Sequence, residues 1–162
     1  MPSTHKKVIV RKLDRDSVSG FVAPEFVHEG KVQLLNTAGN VVAIPLTDVK
    51  GVYFVRDFSD SDTLSRKTFT TRPRTAGLWV RLKFRDNEVV EGMMPNDLTQ
   101  LPADGVFINP PDTRANTQRI FVPRSALTEL SVLAVTGAAS GRRRPAAAAT
   151  GDERQVALFS EQ

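Results

Sequence analysis

The chain of 162 residues has no cysteine, one tryptophan, one tyrosine and two histidines. Without cysteine there is no disulfide, no thiolate metal site and no thiol nucleophile. The two histidines, His5 near the terminus and His28 beside Glu29-Gly30, are expected at the surface, which leaves little acid–base or metal chemistry near neutral pH. No Gly-rich phosphate loop and no triad spacing is present either. The expectation is a non-enzymatic protein with no cofactor and no metal. Apolar runs stay well short of the ~20 residues of a membrane span. The start, Met1 to Lys7, does not lead into a secretory segment, because Arg11 and Lys12 interrupt the apolar positions. No membrane partner and a cytoplasmic location are therefore expected.

What the chain does have is a loose internal repeat. Val8-Ile9-Val10-Arg11-Lys12-Leu13-Asp14-Arg15-Asp16-Ser17-Val18-Ser19-Gly20 aligns without a gap on Val80-Arg81-Leu82-Lys83-Phe84-Arg85-Asp86-Asn87-Glu88-Val89-Val90-Glu91-Gly92. Later, Ile44-Pro45-Leu46-Thr47-Asp48-Val49 answers Val122-Pro123-Arg124-Ser125-Ala126-Leu127. The offset is 72 at the glycines and 78 at the prolines, so the second copy holds six extra residues. Length alone suggests one domain, but a repeat of this kind implies two similar small β units.

The alternation around Val8 and Val10 reads as a half-buried strand. Asp14-Arg15-Asp16 is a turn. Further strands are expected over 17–26, 31–35, 41–44 and 49–55, with a single helical turn or corner at Pro45-Leu46-Thr47-Asp48. The second copy reads as strands near 78–85, 88–95, 105–109, 118–123 and 127–133, and its loop 109–116 holds most of the extra residues. Residues 60–67 can cap and begin a short helix. The expected organisation is an all-β chain: repeat 1 over 1–58, a connector over 59–77, repeat 2 over 78–135 and a disordered tail over 136–162. Each unit would be roughly 50–60 residues, near the lower size limit for independent folding. Val10, Val18, Leu34, Val42 and Val52 are expected in one core, and Leu82, Val90, Phe107, Phe121 and Leu130 in the other.

Val80, Leu82, Phe84, Asp86-Asn87, Val90 and Gly92 resemble the first signature of the Sm-like fold, the small bent barrel of Sm proteins and bacterial Hfq. Val8, Val10, Asp14, Val18 and Gly20 resemble it too, with Lys12 in place of an apolar residue. The resemblance covers about 110 residues. It implies two tandem five-stranded barrels, single-stranded RNA (or DNA) as partner, and pairing of open strand edges between neighbouring units. A homo-oligomer follows, such as three chains in a six-lobed ring. The Sm version of the last-loop uridine site is similar to Val49-Lys50-Gly51, whereas the repeat itself places Leu46-Thr47 and Arg124-Ser125 there. Phe26 and Leu98 stand where Sm proteins carry an aspartate. PRC-barrel and PilZ-type barrels remain alternatives, the latter a cyclic-dinucleotide sensor using Arg72 and Arg74.

Charge is mildly basic, 22 Lys+Arg against 18 Asp+Glu. Arg11, Lys12 and Arg15 gather at the first turn. Arg81, Lys83 and Arg85 share an outward face with Trp79, either as a stacking and phosphate surface or as a solvated face that blocks edge pairing. Arg124 lies near the last loop. Arg66, Lys67, Arg72 and Arg74 form a connector group, a phosphate clamp or a set paired with Asp57, Asp60 and Asp62; Phe58 and Phe69 suggest that this connector is pinned down. In the tail, Gln155-Val156-Ala157-Leu158-Phe159 resembles the peptide by which bacterial proteins dock on the DNA sliding clamp, with Gln155, Leu158 and Phe159 as contacts. A protein-interaction adaptor is thus the rival to a nucleic-acid module.

Overall fold

Strands rich in valine and isoleucine, cut by Asp, Asn and Gly turns, build the whole fold. The computed structural model describes residues 4–58, 66–112 and 114–137. The first repeat contains β1 (Lys6–Lys12), β2 (Ser17–Val22), β3 (Val27–His28), β4 (Lys31–Asn36), β5 (Val41–Pro45) and β6 (Val49–Val55). The second contains β7 (Gly77–Phe84), β8 (Val89–Met94), β9 (Gly105–Ile108), β10 (Thr117–Pro123) and β11 (Leu127–Thr136). Three single 3-10 turns, Leu46–Asp48, Leu98–Gln100 and Arg124–Ala126, are the only helical pieces among the described residues. Most of the expected helix at 60–67 lies outside the described residues; Arg66 and Lys67 are not helical. Of the expected tail, Thr136 ends β11 and Gly137 follows it, and the rest lies outside the described residues.

Every pairing is antiparallel. The path runs β11-β7-β8, crosses a single bridge between Met93 and Asn109 to β9, and continues β10-β6-β1-β2-β4, with β3 and β5 also on β4. It is open, and among the described residues β5 and β11 each pair on one side only.

The repeat holds residue by residue. Val8 faces Gly20 and Val10 faces Val18, as Val80 faces Gly92 and Leu82 faces Val90. Val10 faces Val52 and Lys12 faces Val49, as Leu82 faces Leu130 and Phe84 faces Leu127, and both ladders slip at the same place. Arg15 (φ 74°) and Asn87 (φ 70°) occupy the same left-handed turn position. Asp14 and Asp86 each accept a hydrogen bond from the backbone two residues on. Pro45 (φ −58°) and Pro123 (φ −63°) each set the 3-10 turn that follows. Gly20 lets β2 pass close under β4 and Gly92 lets β8 pass close under the end of β9: a Cβ would sit 2.4 Å from the Leu35 oxygen and 2.9 Å from the Asn109 oxygen respectively. Of the six extra residues, four fall between β9 and β10, since the offset is 74 at Val32/Val106 and 78 at Ile44/Val122.

Where the structure departs from the sequence reading, the cause is how the repeats join. The last strand of repeat 1, β6, pairs with β10 of repeat 2, Val52 facing Phe121 and Tyr53 facing Ile120. Alternation along this junction sends side chains into two cores. Val52, Phe54 and Phe121 enter one with Val8, Val10, Phe26 and Leu34. Tyr53, Val55 and Ile120 enter the other with Ile9, Val80, Leu82 and Phe84. Phe121 and half-buried Phe107 were expected in the second core and instead pack against the first, edge to face with Phe26. Strand β1 is buried on both faces, not half-buried, because Ile9 reaches the second core. Leu130, expected to be buried, is 38% exposed, since nothing described covers β11 as β10 covers β6. Val18 and Val42 are half-buried at the edge of the first core.

Candidate functional site

The two equivalent turns, 13–16 and 85–88, open into one cleft of about 460 Å³. Arg11, Lys12 and Arg15 line it from the first repeat, Lys50 from β6 and Lys67 from the connector. Asp16, Asp86 and Glu88 face them, so cations outnumber carboxylates by two.

The pairing in the cleft is uneven. Lys50 Nζ lies 2.6 Å from Asp86, also bonds Glu88, and sits 5.1 Å above the Phe84 ring. Lys67 Nζ lies 2.5 Å from the other Glu88 oxygen. Burial alone would raise both carboxyls. Hydrogen bonds from Lys50, joined at Glu88 by Lys67, outweigh it and hold both below the ordinary carboxylate range. Lys12 lies 3.8 Å from Asp14. The Arg11 guanidinium lies 5.7 Å from the Tyr53 ring, whose hydroxyl titrates above its ordinary range through burial and then through Glu88. Arg15 is exposed and makes no ion pair among the described residues. A long cationic side chain in left-handed backbone costs roughly 1 kcal/mol, where Asn87 suits the equivalent position.

The structure thus unites Arg11 and Arg15 and adds Lys50 and Lys67. The other expected residues lie elsewhere. Trp79 is half-buried; its Nε1 donates to Glu91 at 3.1 Å and its ring meets Phe69 edge-on. Glu91 is 9% exposed and also accepts from the Phe69 N–H, while its own N–H donates to the Lys67 carbonyl. These bonds fasten the connector to β8, and Phe58 adds an edge-to-face contact with Phe21. Arg72 donates to the Val135 carbonyl at 3.2 Å, Pro73 is buried and Arg74 is exposed. On β7, Arg81 lies across from Glu91 and Ser131, and Lys83 across from Val89 and Glu129. Arg85 Nε donates to the Ser125 carbonyl. Arg124 is exposed beside an apolar groove along β11. Gln155, Leu158 and Phe159 lie outside the described residues.

Sequence reasoning passed over Arg119. Its guanidinium lies 4.2 Å from the Phe107 ring and 4.9 Å from Phe54, and partial burial lowers its pKa. One cation two residues before Phe121, on the same face of an otherwise apolar strand, was the only available signal. Lys67 stood out in the sequence only as one of the connector cations, and its place in the cleft follows from the fastening of the connector to β8.

No helix among the described residues is long and apolar enough to cross a membrane. No curated protein and no solved structure matches the chain. Residues 4–134, both repeats together, match the model of a family of unknown function, DUF6982, and the chain belongs to that family.

Proposed function

We propose that this protein is a non-enzymatic binding module of two Sm-like units, and that its inter-repeat cleft takes the phosphate backbone of single-stranded RNA. Arg15 carries the reading. It is a cation with no ion pair among the described residues, held in a costly backbone conformation, in a cleft with surplus positive charge. Such strain is retained where a side chain has work to do. The strand order that the repeats share, with β6 returning to β1 and β11 to β7 and a glycine under β4 and under the end of β9, supports the small-barrel reading.

Filter binding of short single-stranded RNA and DNA at two salt concentrations tests it. Affinity should fall steeply with salt. Arg15→Asn should weaken binding and reduce the salt slope by roughly one unit, while Asn suits the left-handed turn and keeps the fold. Salt-independent retention, or equal binding by Arg15→Asn, would sink the proposal. A protein-interaction module is the second reading, favoured by the groove of about 390 Å³ along β11.

A further inference from the structure

We infer that the cavity between the β8–β9 connection and β10 binds a small molecule that carries one carboxylate on a flat apolar body. The site is separate from the inter-repeat cleft and does not depend on nucleic-acid binding. The cavity holds about 380 Å³, a size that suits a small ligand.

Arg119 supplies the charge. Its guanidinium lines the cavity, lying 4.2 Å from the Phe107 ring and 4.9 Å from the Phe54 ring. It makes no ion pair among the described residues. The side chain is exposed, so a ligand can reach it. Contact with two rings orients the planar fork and removes part of its water. A carboxylate matches one such fork through two parallel N–H···O bonds.

The one carboxylate in the lining, Asp97, does not fill that role. Its Oδ1 accepts from the Thr99 N–H at 3.0 Å and from the Thr99 hydroxyl at 2.6 Å, and its Oδ2 accepts from Gln100 Nε2 at 3.1 Å. These bonds hold the turn Leu98–Gln100 in place as one wall. Asp97 also selects among anions. A single cation balances a monoanion, whereas a phosphate dianion would bring excess negative charge beside Asp97. Met93, Met94, Leu101, Pro102 and Phe107 give the rest of the lining its apolar character. Thioethers and a ring face suit a flat body. Met93 and Asn109 exchange two backbone hydrogen bonds of 2.9 Å, which fix β8 against the end of β9.

The repeat shows that the fold does not require this group of side chains. Val122 answers Ile44 at an offset of 78, so Arg119 corresponds to Val41. Val106 answers Val32 at an offset of 74, so Phe107 corresponds to Gln33. Repeat 1 builds the same strand pair with neither the cation nor the ring.

Methyl NMR of the methionines reads the site directly, because two of the three methionines in the chain, Met93 and Met94, line it. Benzoate is the probe. Titrated into the full chain, it should move the Met93 and Met94 signals along a saturable curve. Benzamide, alike in shape but uncharged, and phenyl phosphate, the dianion, should each bind at least about tenfold more weakly. Arg119→Gln should lose about tenfold or more in benzoate affinity. Arg119→Lys, which keeps a charge but not the fork, should fall between, and Arg15→Asn in the inter-repeat cleft should lose nothing. Unmoved Met93 and Met94 signals up to the solubility limit of benzoate would overturn the inference. So would equal binding of benzamide, tighter binding of phenyl phosphate, or full affinity in folded Arg119→Gln and Arg119→Lys, since Arg119 would then do no more than cover the rings. Loss of benzoate binding in Arg15→Asn would overturn it too, by placing the anion in the other cleft.

Discussion

Repeat 1 and repeat 2 share their principal ladders, β1–β2 with β7–β8, β1–β6 with β7–β11 and β4–β5 with β9–β10, but not the same surroundings. In repeat 1 the inner face of β6 is sealed by Phe121 from the other repeat, and the outer face of β1 by the second core. In repeat 2 the equivalent of β6 is largely exposed, and Arg81 replaces Ile9. One backbone plan thus carries two kinds of surface. The side chains record the neighbour: apolar where a strand lies alongside, and mixed where none of the described residues does.

Substitutions at paired positions should read out that asymmetry. The largest effect is expected at the junction. Phe121→Ala empties a site among Phe26, Phe107 and Val52 and should cost about 3–5 kcal/mol in chemical denaturation. Leu130→Ala, at the position equivalent to Val52, should cost well under half as much, because Leu130 is partly open to water. Equal losses would mean that β11 is covered after all.

The two bend glycines should come next. Gly20→Ala drives a Cβ to 2.4 Å from the Leu35 oxygen and 2.7 Å from Leu34 Cδ1, and should cost about 1–3 kcal/mol. Gly92→Ala, with its closest approach at 2.9 Å, should cost less. The reverse order in melting temperature would place the sharper bend in repeat 2.

Smaller again is the pair of left-handed turns. Arg15→Asn should stabilise the fold by about 0.5–1 kcal/mol, and Asn87→Arg should destabilise it by a similar amount. Thermal melts of both variants check this. If Arg15→Asn destabilises, the guanidinium makes contacts that outweigh its backbone strain.

The smallest effect concerns acid. Asp86 and Glu88 are held below their ordinary range in the folded state, so the unfolded chain binds more protons as pH falls. The stability they contribute is present above the ordinary carboxylate range and is lost as pH drops through it. Lys50→Met should flatten that acid slope, measured as denaturation midpoint against pH. Removing the corresponding side chain in repeat 2, Thr128→Ala, should leave it unchanged.

Much of the architecture was legible because it is local. The Asp turns, the prolines before the 3-10 corners and the glycine after each first hairpin are short-range signals, and the repeat let each copy vouch for the other. The partition of side chains between two cores was not legible. Whether Phe121 enters its own core or its neighbour's depends on which strand lies beside β10, a contact 69 positions away in the Val52–Phe121 pair. The cleft was half legible. Arg11 and Arg15 stand out in their turn, but Lys50 and Lys67 join them only because the two repeated turns meet in space. Trp79 shows the converse: a lone aromatic among cations looks like a ligand platform until Glu91 is placed beside it.

Strand β6 is a party wall, with Val52 and Phe54 facing one core and Tyr53 and Val55 the other. Neither room stands if that wall is taken away. The repeats should therefore melt together in one cooperative step, as a single thermodynamic unit, and a chain cut in the connector should yield two fragments that fold only when mixed.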